Sequence, residues 1–205
     1  MNDRPDTAAL LVDAARQLFA AHGYDGTSIR AITRLARANL GAVTYHFGSK
    51  EKLYEAVAAS LVEPLREHVA EVTRHPGTPL AKLEVVIRAL FEYLREHPEL
   101  PRFLVQQLAS SRPVPTAVQQ ALAANHQTVT RIIADGQRDG SIRPGDPRLM
   151  AFSIVAQPIW LTLVRRVLQA AVRLDQDDPA TRARLVDSAV QFARAGLAPH
   201  SEQAP

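Results

Sequence analysis

Residues 27–47 read T-S-I-R-A-I-T-R-L-A-R-A-N-L-G-A-V-T-Y-H-F. Thr27 or Ser28 offers a hydroxyl to the unpaired N–H groups of a first helical turn, which predicts a short helix over 28–35. Ile29, Ile32 and Ala36 give that helix one apolar stripe. Arg37 and Ala38 then turn the chain into a second short helix over 39–46. Leu40 and Val43 are expected on its buried side, leaving Asn39, Ala42, Thr44, Tyr45 and His46 outward or sideways. Gly41 and Ala42 are small enough for close approach to a major groove ~12 Å wide. Arg37, at the turn, can meet a phosphate or a guanine edge. This is the spacing of a helix-turn-helix.

Upstream, Leu10, Leu11, Ala14, Ala15, Leu18 and Phe19 form the stripe of a helix over 7–22, stopped by Gly23. Downstream the helices lengthen. Thr78-Pro79, Asp146-Pro147 and Asp178-Pro179 each set a capping side chain before a proline at the first helical position. Pro115 is expected to start a helix in the same way. The punctuation predicts further helices over 50–74, 79–96, 99–110, 115–139, 147–173 and 179–195. Strand-like alternation is nearly missing, so the expected fold is all-α with about nine helices. Three short helices over 1–52 form a DNA-binding head, 53–197 a helical bundle, and 198–205 a disordered tail.

Charge is unevenly spread. The whole 205-residue chain carries a formal +3, whereas Arg30, Arg34, Arg37, Lys50 and Lys52 face only Glu51 between Thr27 and Lys52, a local +4. A cationic end on a near-neutral protein points to a polyanion. Taken singly, Arg30 and Arg34 are an ordinary solvated face and Tyr45-His46-Phe47 an ordinary core-packed helix end. Phe47 is assigned to the core outright. Joint occurrence of cap, spacing, basic turn and Lys50 moves the reading to DNA.

With no cysteine, thiolate metal sites, zinc fingers and disulfides are excluded. The polar N-terminus has no apolar run of a secretory signal, and the uncharged stretch Leu149–Val164 is interrupted by Ser153, Gln157, Pro158 and Thr162. A cytoplasmic protein without membrane association is expected. A carboxylate-bridged metal enzyme would need Glu-x-x-His pairs facing a bundle interior, and the sequence holds none. No enzyme activity, metal or cofactor is therefore expected. A helical adaptor that has lost DNA binding stays open, with only the basic turn and recognition helix against it.

The stretch from Gly23 to Leu53, G-Y-D-G-T-S-I-R-A-I-T through Y-H-F-G-S-K-E-K-L, resembles the N-terminal DNA-binding domain of TetR-family regulators. By that resemblance Thr27 and Lys50 bind phosphates, Tyr45 and His46 contact the sugar-phosphate backbone, and Asn39, Gly41, Ala42 and Thr44 lie at base edges. Ser28, Arg30 and Arg37 are expected among the DNA-binding residues as well. Arg37 stands where a turn glycine is usual, and Thr44 where a first tyrosine is usual. The resemblance implies a ligand-responsive regulator, by family default a repressor, released from a palindromic operator by a small-molecule effector.

The resemblance also places dimerisation in the last two helices and an effector pocket in the middle ones. Over 147–173, Leu149, Phe152, Ala156, Ile159, Trp160, Leu163 and Val167 form one apolar face, and Ile154, Val155, Leu161 and Leu168 another. A helix apolar on two sides needs two apolar partners. With the similarly wide stripe of 179–195 it is expected to build a four-helix homodimer interface. Pro158 predicts a kink or a pocket wall. Expected pocket residues are Phe91 and Leu94 on the fifth helix, and Phe103, Leu104, Gln107 and Leu108 on the sixth. His126, Val129 and Ile133 join them from the seventh, and Phe152, Val155 and Trp160 from the eighth. His126 reads first as a satisfied core or interface residue and only second as a ligand contact.

Overall fold

The computed structural model describes residues 6–199. Among them are ten helices and no strand: α1 Thr7–His22, α2 Ile29–Leu35, α3 Ala42–Phe47, α4 Lys50–Arg74, α5 Pro79–Glu96, α6 Glu99–Ala109, α7 Thr116–Arg138, α8 Pro147–Leu163, α9 Arg165–Val172 and α10 Pro179–Leu197. The tail expected beyond 198 lies, from residue 200 onward, outside the described residues. No single described helix is long and apolar enough to cross a membrane.

The caps act as their residue types dictate. Asp6 accepts from the Ala8 N–H, Ser28 from Ala31, Thr78 from Ala81, Asp146 from Arg148 and Asp178 from Thr181. Pro147 and Pro179 occupy first-turn positions, where a missing N–H is harmless. Of the two candidate caps before α2, Ser28 is the one used. Gly23 ends α1 at φ 68°, a left-handed conformation in which its N–H reaches the Phe19 carbonyl.

Most boundaries fall within two residues of the sequence expectation, α7 starting at Thr116 just after Pro115, and two depart further. The recognition helix begins at Ala42 rather than Asn39, because the Ala42 N–H donates to the Asn39 carbonyl at 3.1 Å and closes a tight turn over 39–42. The helix expected over 147–173 is two helices, α8 and α9, bent by 67°. Pro158 sits inside α8; the break comes at Val164, and the freed Leu161 carbonyl accepts from the Gln176 side chain at 2.9 Å.

The chain divides into two compact units, one holding residues up to Pro64 together with His97–Ala121, the other Leu65–Glu96 together with residues from Leu122 onward. In the first unit α1 packs on α2, α3 and α6. Phe19 and Phe103 are fully buried there, each side chain stabilising by ~1.5–3 kcal/mol on burial. Tyr54 bridges them, edge-on to Phe19 at 4.9 Å between ring centroids and tilted against Phe103 at 5.1 Å. Tyr24 completes the aromatic group, 5.2 Å from Tyr54.

In the second unit α5 packs on α8 and α10 around one apolar core that includes Leu83, Val86, Ile87, Leu90, Val129, Ile133, Ala151, Ile154 and Val190. Polar pins join α5 to α10 at its surface: Arg88 pairs with Asp187 at 2.8 Å and Arg194 with Glu84 at 3.1 Å. The first pair is exposed and adds little stability, while Glu84 of the second is half-buried.

Candidate DNA-binding site

The local sequence builds this site by burying one side of a very short helix. Ile32 and Val43 are fully buried and Ala36 and Ala42 nearly so, which locks α2 against α3. Ala42, expected at a base edge, has its methyl inside instead. Leu40, expected inside, is 53% exposed, because the turn over 39–42 carries it out at the corner. Both corrections follow from the later start of α3. Phe47, assigned to the core, is half-buried.

What remains outward is Asn39, Leu40, Gly41, Thr44, Tyr45 and His46. Tyr45 is the most open of the large hydrophobic side chains among the described residues, 86% exposed, and its ring meets His46 edge-on. A side chain that stays in water on a helix anchored by so few residues gains nothing from the fold; it is free for a partner. A Cβ built on Gly41 meets only the Asn39 Oδ1, at 3.5 Å, so internal packing does not require glycine there. Ser28 caps α2, Arg30 is exposed on the same helix, and exposed Arg37 holds the turn at φ 53°. An arginine in the left-handed region is costly where glycine would be free.

Thr27 and Lys50 are the residues expected at phosphates. Thr27 is buried, and its hydroxyl donates to the Gly23 carbonyl at 2.8 Å and the Leu18 carbonyl at 3.2 Å, so its side chain holds the α1–α2 turn. Lys50 is half-buried; its Nζ donates to the Tyr24 carbonyl at 2.6 Å and lies 4.0 Å from the Tyr24 ring centroid. Burial lowers the Lys50 ammonium's pKa, neighbouring Arg112 lowers it further, and Asp25 and Glu51 oppose them.

Sequence reasoning missed the partners of this lysine. The Arg112 guanidinium lies 3.6 Å from the Tyr24 ring centroid, and the Tyr24 hydroxyl donates to Glu51. Burial, then that carboxylate, pushes the Tyr24 phenol up to about 12. The same hydrogen bond holds Glu51 below the usual carboxylate range. Gln107 beside them is buried: its Oε1 accepts from the Tyr54 hydroxyl at 2.9 Å, and its Nε2 donates to the Arg112 and Pro113 carbonyls. No local pattern could have found these pairs, since most of the partners are separated by dozens of residues.

The expected pocket residues fall in both units. Phe103, Leu104, Gln107 and Leu108 belong to the first, where Leu108 is 79% exposed and the polar atoms of Gln107 are occupied by protein groups. In the second, Phe91, Val129 and Ile133 are buried in the core with Val155 packed on it, and Leu94 is buried as well. His126 is half-buried and its Nε2 donates to the Arg148 carbonyl at 2.9 Å, the satisfied arrangement. Phe152 and Trp160 are 67% and 62% exposed and therefore face outward in this chain. Leu149 and Phe192 are similarly open. Among the described residues no three or more His, Asp or Glu side chains cluster as a metal site.

Comparison with known proteins agrees with this geometry. Residues 11–57 match the family described as bacterial regulatory proteins, tetR family, and residues 79–192 match the tetracyclin repressor-like C-terminal domain. The HTH-type transcriptional repressor AcnR of Corynebacterium efficiens is 38% identical over 61 residues, which are 30% of this chain and 32% of that protein. The match thus spans about a third of that curated relative. Among solved structures, the regulator FadR of Bacillus subtilis in complex with stearoyl-CoA superposes with TM-score 0.76 at 20% identity, covering 92% of this chain and 98% of that one. AibR in complex with isovaleryl coenzyme A and operator DNA gives 0.74 at 18% identity, covering 91% and 97%. Such identities speak for the fold. The two family matches together take in the short basic helices and more than half of the chain beyond them, and the chain belongs to the TetR family of bacterial regulatory proteins.

Proposed function

We propose that this protein is a transcriptional regulator, in its default action a repressor, that binds a palindromic operator as a homodimer and is released by a small-molecule effector. The observation that carries this reading is the face of Asn39, Thr44, Tyr45 and His46, held open to solvent by burial of Ala42 and Val43 behind it. Such a face suits the major groove, where each base pair presents its own donor, acceptor and methyl pattern. Tyr45, His46 and the cations Arg30, Arg37 and Lys50 supply contacts to the sugar-phosphate backbone; Asn39, Gly41 and Thr44 read bases. Ser28 presents its helix start to phosphate.

The second copy is the partner for Leu149, Phe152 and Trp160 on α8 and Phe192 on α10, large apolar side chains that the single chain leaves in water. Two-fold symmetry then duplicates the recognition helix, so that two heads engage half-sites one helical turn apart. The effector acts by binding the C-terminal part differently in the DNA-bound and free states, which shifts the population away from DNA. Isovaleryl-CoA and stearoyl-CoA, each bound by a structurally similar regulator, are the first effectors to try.

A gel-shift titration against the DNA upstream of the protein's own coding sequence tests the reading. A complex competed by the same unlabelled duplex and not by random duplex supports it. Absence of a complex, or equal competition by both, overturns it and favours a helical adaptor without DNA binding.

A further inference from the structure

We infer that Leu40 is a specificity-determining residue that reads the C5-methyl group of a thymine in the major groove of the operator. The inference rests on the DNA-binding reading above and deepens it. Leu40 is the one aliphatic side chain among the outward set Asn39, Leu40, Gly41, Thr44, Tyr45 and His46. It is 53% exposed, and its exposure is built by the backbone: the turn closed by the Ala42 N–H on the Asn39 carbonyl sets Leu40 at the corner directly before α3. Gly41 on its far side has no side chain to stand in front of it.

A lone exposed leucine is common and by itself says nothing. Here its neighbours in sequence are the residues that face bases, so a docked groove covers it and removes it from water. Leu40 can then neither donate nor accept a hydrogen bond. Facing the N7 and O6 of guanine, or the N7 and amino group of adenine, it would leave dehydrated polar groups unpaired. Of the four bases only thymine offers an apolar group on its major-groove edge. The contact is therefore selected in two ways, by methyl burial in favour of thymine and by stranded polar atoms against the purines.

The test starts from the full-length protein and duplexes selected by it from a random-sequence pool. Within the enriched site, each thymine of one half-site and its symmetry mate is replaced by deoxyuridine, which lacks only the methyl. Binding of the wild-type chain is expected to weaken about three- to tenfold at one such pair and to change little at the others. Leu40→Ala should bind the thymine and deoxyuridine forms of that pair equally, and its circular dichroism should show the wild-type helix content, which separates a lost contact from a lost fold. A flat deoxyuridine scan, or Leu40→Ala discriminating as the wild type does, overturns the assignment of Leu40 and leaves the DNA-binding reading standing. A pool that never enriches contradicts that reading, and this inference with it.

Discussion

The Nζ of Lys50 donates to the backbone carbonyl of Tyr24 at 2.6 Å while lying 4.0 Å from the ring of the same residue. The first lysine of α4 thereby ties the start of that helix to the turn after α1, and it does so from a half-buried position. Lys50→Ala is expected to weaken binding to selected and random duplexes alike and to lower the salt slope of log K by about 0.9 for each phosphate it no longer neutralises. Tyr45→Ala should weaken both without any change in melting temperature, since Tyr45 is 86% exposed. Asn39→Ala and Thr44→Ala should instead alter sequence preference. Equal weakening on specific and random DNA for all four variants would contradict these roles.

Arg37 holds φ 53° in the turn between α2 and α3. Glycine reaches that conformation without a steric penalty, so Arg37→Gly is expected to raise stability by about 0.5–1 kcal/mol, less than the full steric relief because glycine also loosens the unfolded chain. The same change removes a cation from the DNA face. Melting temperature should rise while affinity falls; a variant in which both fall is evidence against the exposed role of this side chain.

Tyr54 donates to the buried Oε1 of Gln107, and burial pushes its phenol up to about 12, as burial and Glu51 do for Tyr24. Because the unfolded phenols ionise near 10, stability from these two groups is fully present below that pH and is lost as pH rises from about 10 to about 12. Absorbance at the phenolate band should show Tyr24 and Tyr54 titrating late, together with the loss of helix. Tyr54→Phe should cost about 1–3 kcal/mol in denaturant titration by stranding the Gln107 oxygen. A variant as stable as the wild type would show that this hydrogen bond adds nothing to stability.

Trp160 is the sole tryptophan and is 62% exposed in the single chain. If a second copy covers it, its fluorescence should be blue-shifted at high concentration and move to the red on dilution, in step with the mass measured by sedimentation. Phe152→Asp should give the red emission and monomer mass at every concentration. Red emission from a wild-type dimer would place the interface elsewhere.

Most of the helices are legible in the sequence because their signals are local. Asp146-Pro147 and Asp178-Pro179 mark starts that the structure uses, and Ser28 before Ile29 does the same. The start of α3 is misleading because Asn39 is itself a good capping type and Leu40 fits a stripe with Val43; the Ala42-to-Asn39 hydrogen bond that decides the register has no signature in residue type. The break at Val164 is likewise hidden. Neither proline nor glycine stands there, and what receives the freed carbonyl of Leu161 is Gln176, fifteen residues on. The cationic end is readable as charge, whereas the Tyr24 platform beneath Lys50 and Arg112 depends on pairs far apart in the chain.

The central claim, an open recognition helix duplicated by symmetry, is tested most directly by a hydroxyl-radical footprint of the wild-type protein on its selected operator. Two protected patches related by two-fold symmetry are expected, their centres about one helical turn apart at ~10 base pairs. A single patch, or two whose spacing puts them on opposite faces of the duplex, would contradict it.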